Sequence, residues 1–264
     1  MLTNKFKINY SIGAVANGIK TDTFTFFLLF FYSNIIGLNP ALAGSAIFIA
    51  LCVDAVTDPL MGTISDRTNS SYGRRHPFMM ISFIPMSLGY IFLFAPRQDW
   101  DMSQSDLFIW MTIFTVITRI GMTLFDIPHR AFGGEITKNY KERTILMSWR
   151  EMFGWVAGLS NAFLGYGIFF TSTSEYPQGQ LNPDAWFPFA VTGAIFMIIS
   201  VLYSSLSTKD EIKSLSKWSG SISLFDIVNE LKIAIGNKSF LIFFFGNLFL
   251  SLAWGLANTL TLFV

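Results

Sequence analysis

Seven stretches of this chain are apolar for the roughly 20 residues that a helix needs to cross a bilayer core. They run over about 8–36, 42–64, 78–96, 107–132, 144–171, 186–206 and 239–264. Polar breaks part them: Asn39-Pro40, the segment 66–76, the run Gln98 to Asp106 after Pro96, Glu135 to Arg143, Thr171 to Asp184 and Thr208 to Lys238. Inside hydrocarbon, backbone groups must be bonded within the protein, and continuous apolar runs of this length achieve that as helices. The sequence therefore predicts an all-α membrane protein. Only 13% of the residues are charged, against about 25% in soluble domains. A net charge of +1 argues against a nucleic-acid partner. Cys52 is the single cysteine, so no disulfide framework is available. Lys5 and Lys7 lead straight into a long span with no small-residue cleavage site, so no cleaved signal peptide is expected.

Lysine and arginine set the expected orientation. One set of connections holds Lys5 and Lys7, then Arg67, Arg74 and Arg75, then Lys138, Lys141 and Arg143, then Lys209, Lys213, Lys217, Lys232 and Lys238. The alternate connections hold only Arg97. The N-terminus is thus expected on the cytoplasmic side of an inner membrane. The expected organisation is a six-helix bundle over 1–207, a cytoplasmic loop over 208–238, and a seventh span over 239–264. Within the loop, Leu224, Phe225, Ile227, Val228, Leu231 and Ile235 recur at helical spacing between Ser223 and Gly236. That pattern fits an amphipathic helix on the membrane surface or one packed under the bundle. The last span stops at Val264 without a polar flank, so further helices are expected to follow in a parent protein.

Charges inside the spans are costly and mark function or latching. Asp54, Thr57 and Asp58 lie at i, i+3 and i+4, so one face of the second helix offers two carboxylates and a hydroxyl. These are hard oxygen ligands that suit a small cation. Pro59 leaves the carbonyl of Ala55 without its helical bond. The competing reading pairs each aspartate with an arginine of a neighbouring helix. On the fourth helix, Arg119, Thr123, Asp126 and Arg130 fall within about 60° of one another, and Pro128 frees the carbonyl of Leu124. Such a stripe faces a wet cavity or other polar helices; a salt-bridged latch is the competing role. The first helix carries Asn17, Lys20 and Asp22, with Lys20 and Asp22 on different faces. The fifth opens with Trp149, Arg150 and Glu151 and then sets Gly154, Gly158 and Ala162 four apart, a small-residue face for close packing. Trp149 and Trp155 read as interfacial anchors or as platforms for a sugar ring.

The strings DAVTDPLMGTISDRTNSSYGRRHPF, FDIPHRAFGGEITKNYKERT and SWREMFG together resemble the glycoside–pentoside–hexuronide:cation symporters, a branch of the major facilitator superfamily that includes the melibiose carrier. The turn carrying Gly62, Asp66, Arg67, Gly73, Arg74 and Arg75 resembles the superfamily's conformational loop between helices two and three. The resemblance implies a twelve-helix carrier, of which this chain holds the first half, the central loop and most of helix seven. It implies that Asp54, Asp58 and Thr123 are cation-site residues, with Thr57 standing where the melibiose carrier has Asn. It also implies that Asp126 and Arg150 bind sugar. Two positions depart. The first-helix aspartate that holds a galactoside falls on Gly18, and its neighbouring lysine on Asn17; Asp22, one turn along, is the candidate substitute. The stacking tryptophan after the Asp-Ile-Pro motif is replaced by Arg130. An added arginine suits an anionic solute such as a uronide, because guanidinium grips carboxylate through two bonds.

The expected function is therefore cation-coupled symport of a sugar or sugar acid by alternating access, with Na+ as the favoured coupling ion, H+ as the alternative and no cofactor. A carrier of the same fold for a lipid-like or other non-sugar solute is the second reading, and a non-transporting scaffold the third. Enzyme activity is not expected: His76 and His129 form no recognisable catalytic arrangement.

Overall fold

The computed structural model describes residues 2–214, 233 and 236–261. The amphipathic pattern expected over 223–236 falls almost wholly outside the described residues. The chain divides into two units, Met1–Ser219 and Gly220–Val264. The described residues are helical and contain no strand.

The first span is segmented. It comprises α1 (Asn4–Ser11) and α2 (Ala14–Asp22), followed by π-helical turns at Thr23–Phe27 and Phe31–Ile36 around one α turn, Leu28–Phe30. The break between α1 and α2 has a side-chain cause. The carbonyl of Tyr10 accepts from the Ser204 hydroxyl at 3.1 Å and lies 3.0 Å from Nε2 of His129. At the far end, Gln98 donates to the carbonyl of Ile35 at 2.5 Å and Gln104 to that of Gly37 at 2.8 Å. These bonds occupy carbonyls that a helix end leaves open.

Helix α3 (Pro40–Arg67) starts where Asn39 accepts from the Ala41 amide at 2.9 Å, with Pro40 at the first helical position. The third span is α4 (His76–Ile81) and α5 (Phe83–Leu93). Its break falls at Ser82 because Pro85 cannot bond the carbonyl of Ile81. A reciprocal capping box between Ser103 and Asp106 opens α6 (Gln104–Glu135). Asn139 caps α7 (Tyr140–Leu164), which runs on into a π turn, Gly165–Phe169. The sixth span is α8 (Trp186–Ser207). Thr208, expected at the start of the loop, remains part of this bundle: it is buried, and its hydroxyl donates to the carbonyl of Ser204 at 2.7 Å. In the second unit, α9 spans Lys238–Thr261. Five helices among the described residues are long and apolar enough to cross a membrane: Pro40–Arg67, His76–Leu93, Gln104–Glu135, Tyr140–Phe169 and Pro183–Glu211.

In a bilayer, apolar burial gives helices little reason to associate, so close backbone approach and polar bonds do that work. The small-residue face of α7 meets α2. A Cβ added at Gly18 would stand 2.0 Å from the carbonyl oxygen of Gly154. Gly18 therefore has a steric reason to lack a side chain, and no acid can occupy that position in this packing. One end of the bundle is closed by aromatic rings around fully buried Trp186: Phe170 at 4.5 Å, Phe31 at 5.2 Å and stacked Phe94 at 6.1 Å. Phe48, Val56, Leu159 and Phe163 point outward and are exposed, as hydrocarbon-facing side chains should be.

Replacing Gly18 by Val should lower thermal stability by about 1–3 kcal/mol, the usual cost of overpacking. Gly134→Ala, where an added Cβ meets nothing within 4 Å, should be neutral or slightly stabilising. Thermal unfolding in detergent compares the two; equal losses would remove the contact argument.

Candidate functional site

Helices α2, α3 and α6 line a half-open cavity of about 80 Å³ at mid-span. Its lining is polar. α2 contributes Asn17 and Lys20, α3 contributes Asp54 and Asp58, and α6 contributes Arg119, Thr123 and Asp126. Spacing explains the set: each helix places its polar residues three, four or seven apart, so one face carries them all.

Two bonds tie α3 to α6 across this cavity. Arg119 pairs with Oδ2 of Asp54, and the Thr123 hydroxyl donates to Oδ1 of Asp58 at 2.6 Å. The site also holds unmade bonds. Oδ1 of Asp54, the Thr57 hydroxyl and Nε of Arg119 are buried with no hydrogen-bond partner. Buried polar atoms are nearly always bonded, so orphans clustered on one seam call for a ligand or a functional reason.

Asp126 sits at the edge of the cavity and is gripped from behind. Arg150, fully buried on α7, pairs with its Oδ1, and Arg130 donates to its Oδ2 at 2.7 Å. Both arginines also reach Glu151, at 2.7 Å from Arg150 and 3.4 Å from Arg130. His129 braces Arg150, with its Nδ1 3.3 Å from the Arg150 Nε. A separate cluster surrounds Asp22. The Asn161 amide donates to it at 2.8 Å and to Thr23 at 3.1 Å, and Thr23 is 2.7 Å from the Tyr90 hydroxyl.

At the end of the bundle opposite Trp186, the charged turn forms a lock. Buried Arg75 donates to Asp66 at 2.5 Å and to Glu135 at 2.8 Å, and Arg74 reaches Glu135 at 2.5 Å. Gly73 adopts φ +77°, and its amide closes a turn onto Ser70 at 3.1 Å. That left-handed backbone favours glycine. Gly62 sits opposite Ile127 of α6.

The family model described as MFS/sugar transport protein matches residues 9–264 of this chain. The chain belongs to this family. With its apolar helices, it is therefore a multi-pass membrane protein of the major-facilitator kind, built as a six-span bundle followed by a seventh helix. Among similar proteins, the putative glycoside/cation symporter YagG of Escherichia coli (strain K12) is 28% identical over 90% of this chain and 49% of its own length. The sodium-dependent lysophosphatidylcholine symporter 1-A of Danio rerio is 31% identical over 60% of this chain and 30% of its own. The glucuronide carrier protein homolog of E. coli (strain K12) is 24% identical over 60% and 34%. The chain spans less than half the length of each of these relatives.

Within the family's bundle, the residues singled out from the sequence divide cleanly. Asp54, Asp58, Thr123, Asp126 and Asn17 line the cavity, while Thr57, Asp22, Arg130 and Arg150 do not. Thr57 stays on the α3–α6 seam as a buried, unbonded hydroxyl. Asp22 turns to α7 because, two residues from Lys20, it lies on another face of α2. Its carboxylate is bonded by Asn161 and is not part of the cavity lining. Arg150 reaches the cavity only through Asp126. Arg130 lies one turn further along α6, where it is partly exposed and shared between Asp126 and Glu151. Arg119 lines the cavity with the fourth-helix stripe to which the sequence assigned it, whereas sequence reasoning did not place Lys20 in the cavity or His129 as a brace. Their signal was present: a charge inside a span, and a histidine three residues after Asp126.

Breaking the Arg119–Asp54 pair by Arg119→Gln should cost about 3 kcal/mol, because it strands a buried carboxylate. Adding Asp54→Asn should recover much of that loss. A double-mutant cycle on thermal or denaturant unfolding measures the coupling; simple additivity would show that the pair does not hold the seam.

Proposed function

We propose that this chain forms the cation- and solute-binding half of a symporter that moves a sugar or sugar acid with a cation across the cytoplasmic membrane by alternating access. The observation that carries the reading is the α3–α6 seam, where acidic and hydroxyl oxygens converge midway along the helices and two buried oxygens, Asp54 Oδ1 and Thr57 Oγ1, lack hydrogen-bond partners among the described residues. Carboxylate and hydroxyl oxygens are the ligand set for a hard monovalent cation. In this reading Asp54, Asp58 and Thr123 hold the ion, with Thr57 behind them. Asp126 and Asn17 face the solute, and Arg150 and Arg130 keep Asp126 aimed. Sodium is the favoured ion, on this oxygen set and on the relative named as sodium-dependent. The relatives named for glycosides and glucuronides support the solute class. The Asp66–Arg75–Glu135 lock closes the cytoplasmic end, with the N-terminus inside.

A second reading keeps the fold and the ion but replaces the sugar by a lipid-like solute. The relative named for lysophosphatidylcholine favours it, as does a cavity that presents both signs of charge.

Uptake by the complete protein, comparing sugars, uronic acids and lysolipid with and without sodium, separates the readings. Asp54→Asn and Asp58→Asn should each abolish sodium-driven accumulation while leaving some solute binding. Normal accumulation in both variants would remove the cation assignment. With Cys52 replaced by Ala, cysteines at Ser103 and Asn182 should label from outside intact cells, and one at Ser70 only after permeabilisation. The reverse pattern would invert the topology.

A further inference from the structure

One charge in the cavity has no hydrogen-bond or ion-pair partner among the described residues. Lys20 lines it from α2, yet among the described residues it makes no hydrogen bond and has no carboxylate oxygen within 4.0 Å. Its ammonium group lies 5.9 Å from the centre of the Phe24 ring, and the guanidinium of Arg119 lies 5.4 Å from the same centre. Two cations therefore share one aromatic ring and face the same cavity. Arg119 spends one nitrogen on Asp54, while its Nε, buried, remains unbonded. The cavity thus offers two unused donors, Lys20 Nζ and Arg119 Nε, beside its unused acceptor, Asp54 Oδ1.

Charge counting gives this arrangement a consequence. Among the described residues, Arg119 and Lys20 balance Asp54 and Asp58, while Arg150 and Arg130 balance Asp126 and Glu151 from behind. A sodium ion entering alone would leave one surplus positive charge in a low-dielectric space, and an anion alone one surplus negative charge; either is costly. A sodium ion entering with a carboxylate restores balance.

We propose that Lys20, helped by Arg119, is the anion-receiving group of the cavity and takes the carboxylate of an acidic sugar, a uronate. This rests on the symporter reading above and sharpens its solute class. When the site is empty, the Lys20 ammonium group balances the cavity's carboxylates from beyond bonding distance. When sodium arrives at the aspartates, Lys20 is released to the solute's carboxylate. Cation and solute then favour each other's binding because each cancels the charge the other brings. Arg130, which lies off the cavity and is committed to Asp126 and Glu151, is not needed for this recognition.

The test compares Lys20→Gln and Lys20→Arg with the unaltered complete protein, purified in detergent. Ligand affinities are read from thermal shifts with D-glucuronate, D-glucose and sodium chloride against potassium chloride. Lys20→Gln should weaken glucuronate roughly tenfold or more, leave glucose unchanged, and strengthen sodium roughly tenfold, because a competing positive charge is gone. Lys20→Arg should restore all three. A merely structural lysine would weaken every ligand together, so opposite signs for glucuronate and sodium carry the assignment. Equal loss of glucuronate and glucose overturns it. Sodium without effect on any of the three proteins refutes the sodium reading, and the glucuronate arm alone then decides Lys20. If the unaltered protein binds neither sugar, the sugar reading fails and this inference fails with it.

Discussion

Everything else in this bundle depends on the pairing of charges between α3 and α6. A charged side chain at the centre of a bilayer helix costs about 2.5–3.5 kcal/mol even on insertion scales, and these two helices carry several. Asp54 with Arg119 and Asp58 with Thr123 convert those costs into contacts that only one rotation and register of the two helices can make. The pairing therefore specifies the fold while leaving the site chemically unfinished. A fully satisfied seam would be an inert latch. This one retains orphan atoms on both the acidic and the basic side.

A second hub ties the segmented first span to that seam. The His129 ring stacks on Tyr10 at 4.1 Å and 11°, and on Phe125 at 4.8 Å and 21°. The Arg150 Nε carries a hydrogen, so Nδ1 of His129 must accept it. The imidazole proton then belongs on Nε2, which donates to the carbonyl of Tyr10 at 3.0 Å. The Tyr10 hydroxyl in turn donates to the carbonyl of His129, also at 3.0 Å. The histidine is thereby held as one neutral tautomer, and the break in the first span becomes part of what aims Arg150 at Asp126. A feature that looks like a helix defect is mechanically connected to the edge of the cavity.

Much of this was legible before any coordinates. Long apolar runs dictated the spans, because nothing but helix satisfies their backbone in lipid. The i, i+4 and i+7 spacing placed Asp54, Asp58, Arg119, Thr123 and Asp126 on facing stripes. Partner choice was not legible, because it depends on how each helix is rotated against its neighbours. Spacing alone put Lys20 and Asp22 on different faces, but only packing sends Asp22 to Asn161. Gly18 read as a lost sugar ligand; the carbonyl of Gly154 against it shows a position with no room for a side chain. Arg130 does bond Asp126, as its spacing implied, yet one further turn of α6 carries it beyond the cavity. The π turns of the first span have no counterpart in its apolar pattern.

The lock and the seam act on the same two helices. Arg119 and Glu135 are 16 positions apart on α6, which is about 24 Å at 1.5 Å per residue. Arg119 is pinned to α3 itself, and Glu135 is pinned to Arg74 and Arg75, at the end of the turn that follows α3. A helix pinned at two points so far apart cannot tilt about one without pulling on the other. Moving α6 at the lock therefore loads the Asp54–Arg119 contact, and loosening that contact loads the lock. The aromatic plug around Trp186 imposes no such linkage, because stacked rings slide more easily than ion pairs exchange partners. The two ends are thus held by different physics. A change of charge at the cavity reaches the polar end through α6 without any further connecting element.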